Sequence, residues 1–201
     1  MSLPHARRTT PPATAAPGDT TDFAALAARL RELQHAFTAA APPEDVVGAA
    51  VAHIEQATNL LREWSVGESE QLAGTPYELP GRRQVLVPPY LVDESDEVSY
   101  RGRVTFGRLY LGRNGAVHGG AIALFWEAIL GRLGSSAVPA RAAYLNTNYR
   151  AVTPIDRELT FTSRIVRNEG RKLFISGKLT DGETLCSDAE SLVIILRPGQ
   201  Q

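Results

Sequence analysis

The sequence is poor in cysteine: Cys186 stands alone among 201 residues, so no disulfide can close within the chain, and a reducing, cytoplasmic setting is expected. It lacks any run approaching the ~20 apolar residues of a membrane span. It lacks an excess of either charge, with 21 Lys and Arg against 22 Asp and Glu and a net charge of -1, which argues against a nucleic-acid partner or an anionic membrane surface. Its four histidines, His5, His35, His53 and His118, have no metal-ligand spacing. There is no G-x-S-x-G and no G-x-x-x-x-G-K-[ST], which removes the nucleophile elbow and the phosphate loop from consideration. What remains is ample for a packed core, since 43% of residues are hydrophobic.

The chain divides by composition. Residues 1–20 hold Arg7 and Arg8 followed by Pro11, Pro12 and Pro17 rather than an apolar run, and read as a disordered tail, not a signal peptide. Residues 21–66 read as a helical extension. Asp22 is the expected N-cap of a first helix with the stripe Phe23, Leu26, Leu30, Leu33 and Phe37. A second helix, capped near Pro43 and Glu44, carries Val47, Val51, Ile54, Leu61 and Trp64. The pair is expected to cover the domain or to pack against a partner subunit. Residues 67–97 read as an irregular linker ending in the acidic cluster Asp93, Glu94, Asp96 and Glu97.

From residue 98 the pattern changes. Residues 98–106 alternate like a strand, a glycine-rich loop follows, and residues 120–133 form a helix apolar on nearly every face, which must be enclosed. Four strand-like runs come after it, 140–152, 158–167, 171–180 and 184–196, with turns at Asn168-Glu169-Gly170 and Asp181-Gly182. The expected class is α+β, an antiparallel meander over one buried helix, within a domain at 98–198.

The chemistry concentrates where that helix begins. Gly119 and Gly120, after His118, leave unpaired N–H groups at the positive end of the helix dipole, suited to an oxyanion or to tight packing alone. Glu127 lies nine positions on, with Ala123, Leu124, Leu130 and Gly131 as its helical neighbours. Burial is expected to leave it poorly solvated when charged, unless Arg132 or Arg141 reaches it. At ~100° and ~1.5 Å per residue, Glu127 points away from His118 and lies ~13 Å along the axis. The glycine amides and Glu127 are therefore expected to meet only across a two-fold dimer. Cys186, in a strand, is expected to be packing rather than a nucleophile.

The segments Val117-His118-Gly119-Gly120-Ala121-Ile122-Ala123, Leu145-Asn146-Thr147-Asn148-Tyr149-Arg150, Glu169-Gly170-Arg171-Lys172 and Ser187-Asp188-Ala189-Glu190-Ser191-Leu192 resemble the PaaI-like hotdog thioesterases. They are similar to the animal superfamily members acting on long-chain acyl-CoA and to the 4-hydroxybenzoyl-CoA thioesterase type. The resemblance spans roughly residues 98–196. It implies a hotdog fold, a homodimer or homotetramer, and hydrolysis of the acyl-CoA thioester with CoA as part of the substrate and no cofactor. It assigns the oxyanion donor to Gly119 with Gly120 beside it, the base or nucleophile to Glu127, and a supporting role to His118. The candidate substrate-binding residues are Asn114, Asn146, Asn148, Arg150, Arg171 and Lys172, the cations serving the CoA phosphates. Phe125, Trp126, Tyr144 and Tyr149 are expected to line an acyl tunnel or to fill the core. Two positions depart from the family pattern: Gly112 stands where many members have Asn, and Ala142 where many have a water-positioning Ser or Thr. The alternatives on the same fold are a non-catalytic acyl-CoA binder or sensor and an enoyl-CoA hydratase; an interaction protein working through its N-terminal helices is a third.

Overall fold

A computed structural model describes residues 20–74, 85–136 and 138–200 of the chain. The disordered tail expected at residues 1–20 lies outside the described residues, apart from Thr20, which opens helix α1 (Thr20–Ala39). Asp22 is thus inside the first turn rather than its cap. Helix α2 (Glu44–Arg62) starts after Pro43 as its N-cap, with Glu44 and Asp45 in the first turn where the helix dipole favours acidic groups. No helix among the described residues is long and apolar enough to cross a membrane.

Six antiparallel strands follow, in the spatial order β1-β2-β4-β5-β6-β3: β1 (Tyr90–Ser95), β2 (Ser99–Thr105), β3 (Ala140–Tyr149), β4 (Glu158–Glu169), β5 (Lys172–Asp181) and β6 (Thr184–Ile195). Helix α3 (Gly119–Gly134) lies against their inner face. Two expectations change. Strand β1 lies inside the segment read as irregular. Only Tyr90 and Val92 of its six residues point inward, and its acidic end masks the alternation. Asp96 then closes the β1–β2 turn, its Oδ1 accepting the N–H groups of Val98 (2.8 Å) and Ser99 (2.6 Å). Secondly, the meander is three strands long, not four. The connection at 150–157 carries the chain away from β3, which pairs with β6 and ends the sheet.

The core forms where α3 meets the sheet. Phe125, Trp126, Ile129, Leu130 and Leu133 of the helix are buried with Phe106, Leu159, Phe161, Ile175 and Leu179. The Phe125 ring meets those of Tyr90, Phe106 and Phe161 edge-on, an arrangement that adds to the area it buries. Trp126 crosses to β6, donating its indole N–H to Ser187 Oγ at 3.0 Å. It fits only because β5 has Gly177 opposite: a Cβ there would sit 2.3 Å from the Trp126 ring.

Helix α1 attaches by a face the apolar stripe does not predict. Ala27 is the buried residue of α1, with Gln34 and His35 half-buried, whereas Leu33 and Phe37 are exposed. His35 is the anchor. Its Nδ1 accepts the Leu109 N–H at 3.0 Å, and it fits over Gly107, where a Cβ would lie 2.5 Å from the imidazole. Helix α2 has no buried residue, and Val47, Val51, Ile54, Leu61 and Trp64 are all exposed on the single chain.

Candidate active site

The turn that introduces α3 is tied down from both sides. Asn114 and Gly115 take left-handed conformations, with φ of 52° and 74°. The Val117 N–H donates to Thr153 O (2.8 Å), the His118 N–H to Tyr110 O (2.7 Å), and the Ile155 N–H to Gly115 O (3.1 Å). Gly112, the first departure from the family pattern, packs against this turn: a Cβ there would be 3.2 Å from the His118 Cα. The position has no room for the family's asparagine without the turn shifting.

His118 is the N-cap of α3, and its Nδ1 accepts the Gly120 N–H at 3.0 Å. A ring nitrogen that accepts is unprotonated, so neutral His118 carries its proton on Nε2. The Gly120 amide, expected to face the ligand, is therefore occupied. The Gly119 N–H has no partner among the described residues. The Gly119 carbonyl accepts the Tyr149 hydroxyl at 2.9 Å, and a Cβ on Gly119 would stand 3.2 Å from the Tyr149 ring and hydroxyl. The turn thus holds the Gly119 amide, without a partner among the described residues, at the positive end of a 16-residue helix.

Glu127 is exposed on the single chain, which corrects the expectation of a mid-core carboxylate. Its side of α3, with Gly120, Leu124 and Gly131, faces away from the sheet, while its neighbour Leu130 turns into the core. It lines a cleft of about 140 Å³ with Gly131, Arg132, Ser135, Arg141 and Ala142. Ala142, the second departure, is therefore beside the carboxylate and gives it no hydroxyl.

The other expected residues separate. Asn146 and Asn148 lie on the face of β3 turned away from α3, opposite Glu190 and Asp188 of β6. Asn148 donates to Asp188 Oδ1 (2.8 Å) and Arg150 holds Asp188 through Nε and Nη2. Asp188 is held below the usual aspartate range, mainly by that Arg150 bond, and Arg150 is raised in turn. This side-chain cluster is already neutralised and lies off the inner face, so it does not join the glycine turn. Asn114 serves the turn's backbone and is exposed. Arg171 donates to the Ile195 carbonyl (3.1 Å), and Lys172 is exposed at the start of β5. Both lie at the end of the sheet where Ala140 pairs with Ile195, the Glu127 end. Phe125 and Trp126 are core, and Tyr144 is exposed on the outer face, so none of the three lines a tunnel.

A second cleft, of about 440 Å³, opens at the first turns of α3. Gln34, Leu86, Leu109, Tyr110, His118 and Leu124 are among its walls. Burial pushes the Tyr110 hydroxyl up to about 12, so it stays neutral. Sequence reasoning missed this cleft because its walls come from segments far apart in the chain.

One central helix held against a six-stranded antiparallel sheet is the hotdog fold. Comparison with solved structures agrees: a thioesterase superfamily protein matches with a TM-score of 0.75 at 24% identity, covering 90% of this chain and 97% of its own. A hypothetical thioesterase from Streptococcus pneumoniae, solved with coenzyme A, matches with a TM-score of 0.50 at 16% identity over 53% of this chain and 85% of its own. In sequence, the chain is 38% identical over 95 residues to the acyl-coenzyme A thioesterase THEM4 of Mus musculus, covering 46% of this chain and 41% of that protein. The Bos taurus THEM4 is 37% identical over 86 residues, or 42% and 35%. The chain spans about two fifths of the length of the first curated relatives it matches. No family model matches it.

Proposed function

We propose that this chain hydrolyses the thioester of an acyl-CoA, as a homodimer of the PaaI-like type. The observation that carries the reading is the free Gly119 amide at the start of α3 with Glu127 on the open side of the same helix. The relatives named as acyl-CoA thioesterases supply the reaction class. Gly119 holds the thioester oxygen as it becomes an oxyanion. Glu127 takes the proton of a water that attacks the carbonyl carbon, or attacks that carbon itself. The C–S bond then breaks, and a thiol leaving group near pKa ~8.5 needs little help from a general acid. His118 Nδ1, engaged by the Gly120 amide, supports the turn rather than acting as the base, which also counts against the enoyl-CoA hydratase reading.

Eight residues along a helix set Gly119 and Glu127 ~12 Å apart, too far for one carbonyl group. A two-fold partner brings the Gly119 of one chain to the Glu127 of the other. Strand β3 suits that arrangement: it ends the sheet, and Ala142, Tyr144 and Asn146 along it are exposed. In this reading Arg171 and Lys172, at the Glu127 end, are the cations that would meet the CoA phosphates. A reducing, cytoplasmic location is part of the same proposal.

The test is CoA release across short, long and aromatic acyl-CoAs. Glu127→Gln is expected to lose at least ~10²-fold in kcat on every substrate wild type turns over. Full activity in that variant removes Glu127 from the mechanism. The bare methyl of Ala142 beside Glu127 favours a second reading, an acyl-CoA binder. Tight binding by wild type with no turnover establishes it.

A further inference from the structure

Helix α1 does more than cover the fold. His35 fixes it at Leu109, and the preceding residue, Gln34, becomes a wall of the 440 Å³ cleft at the first turns of α3. That volume is within the ~300–1,000 Å³ usual for small-molecule sites. Its walls are mostly apolar, and the polar groups among them are largely engaged: Tyr110 O receives the His118 N–H, and His118 Nδ1 receives the Gly120 N–H. Gln34 differs. Its Oε1 is shut off from solvent and has no hydrogen-bond partner among the described residues. A buried amide carbonyl without a donor is costly, and native structures keep few of them. The terminal torsion of glutamine is broad, so a donor entering the cleft can meet Oε1 after a small turn of the amide. The small residues Gly120 and Ala121 line the cleft, directly after Gly119 in the first turn of α3.

We propose that Gln34 is a specificity-determining residue: its Oε1 accepts a hydrogen bond from a donor on the substrate, next to the reacting thioester. This rests on the thioesterase reading. The donor is either a hydroxyl on the acyl chain or an amide N–H of the pantetheine arm of CoA. Through Gln34, the N-terminal helix belongs to the substrate site.

The experiment compares full-length wild type, Gln34→Met and Gln34→Glu on 2-, 3- and terminally hydroxylated acyl-CoAs and on unsubstituted chains of the same lengths, with free CoA as inhibitor. Methionine keeps the length and removes the acceptor; glutamate keeps the acceptor. If the acyl hydroxyl is the donor, Gln34→Met shifts the ratio of kcat/KM, hydroxylated over plain, down by roughly 3- to 10-fold, and Gln34→Glu keeps it. If the pantetheine amide is the donor, the ratio holds while KM for every substrate and the inhibition constant of CoA rise together by that factor in Gln34→Met alone. The proposal is overturned if the ratio and the CoA inhibition both stay within about twofold in Gln34→Met, or if Gln34→Glu loses as much as Gln34→Met. Should Gln34→Met not fold, Gln34→Ala reads the same ratio. If wild type hydrolyses no acyl-CoA, the thioesterase reading fails instead, and calorimetric binding of CoA and hydroxylated acyl-CoA to the same proteins still decides for or against Gln34.

Discussion

At the scale of single residues, His118 and Asp188 both act on a neighbour. By capping α3 through Nδ1, His118 takes the Gly120 amide out of play and leaves Gly119 as the one of the two glycines whose N–H has no partner among the described residues. Asp188 ties Asn148 and Arg150 to the outer face of β6. Because the folded state holds the Asp188 carboxyl below its unfolded value, the pair's stabilisation is present above the ordinary aspartate range. It is lost as pH falls through the lower, folded value. Thermal unfolding of wild type and Asp188→Asn is therefore expected to differ slightly at neutral pH and to converge below ~pH 4. A difference that persists in acid removes the ion pair as its cause.

At the scale of elements, the docking of α1 rests on one imidazole. His35→Ala strands the Leu109 amide and is expected to cost about 1–3 kcal/mol, with faster hydrogen exchange in α1 and at Leu109 than in α3. Uniform exchange across all three would show that α1 docks by other means. The same element shows where sequence reading stops. Strand β2 and the runs that become β4, β5 and β6 were legible because each alternates with period 2 and ends in its own turn, and helix α3 because its run is apolar on nearly every face; that β3 leaves the meander and pairs with β6 was not. Gly170 and Gly182 do adopt the positive φ that those hairpins need, 65° and 58°. The docking face of α1 was not legible, because Leu33 and Phe37 make the stronger stripe while Ala27, Gln34 and His35 make the contact. Nor was the exposure of Glu127: within one chain, the apolar side of a helix that meets its own core looks the same as the side left open. Gly119 was legible as a free amide, but the loss of Gly120 to the cap was not, since His118 gives no sign of which way its ring turns.

At the scale of the whole molecule, the composite site makes a prediction that no single-chain site shares. Glu127→Gln and Gly119→Val proteins, each inactive alone, are expected to recover about a quarter of wild-type activity when co-folded in equal amounts. Half the dimers are then mixed, and each mixed dimer has one intact site of two. No recovery would place the whole site within one chain. The match to a solved thioesterase superfamily protein extends over 90% of this chain, more than the sheet and α3 occupy. The place of α1 in the chain has a kinetic consequence. His35 precedes the Leu109 amide it holds by 74 residues. At ~5–20 residues per second, α1 leaves the ribosome about 4–15 s before its dock exists. Throughout that interval Ala27 and His35 lack the surface on which they dock, so α1 is made well before it is seated.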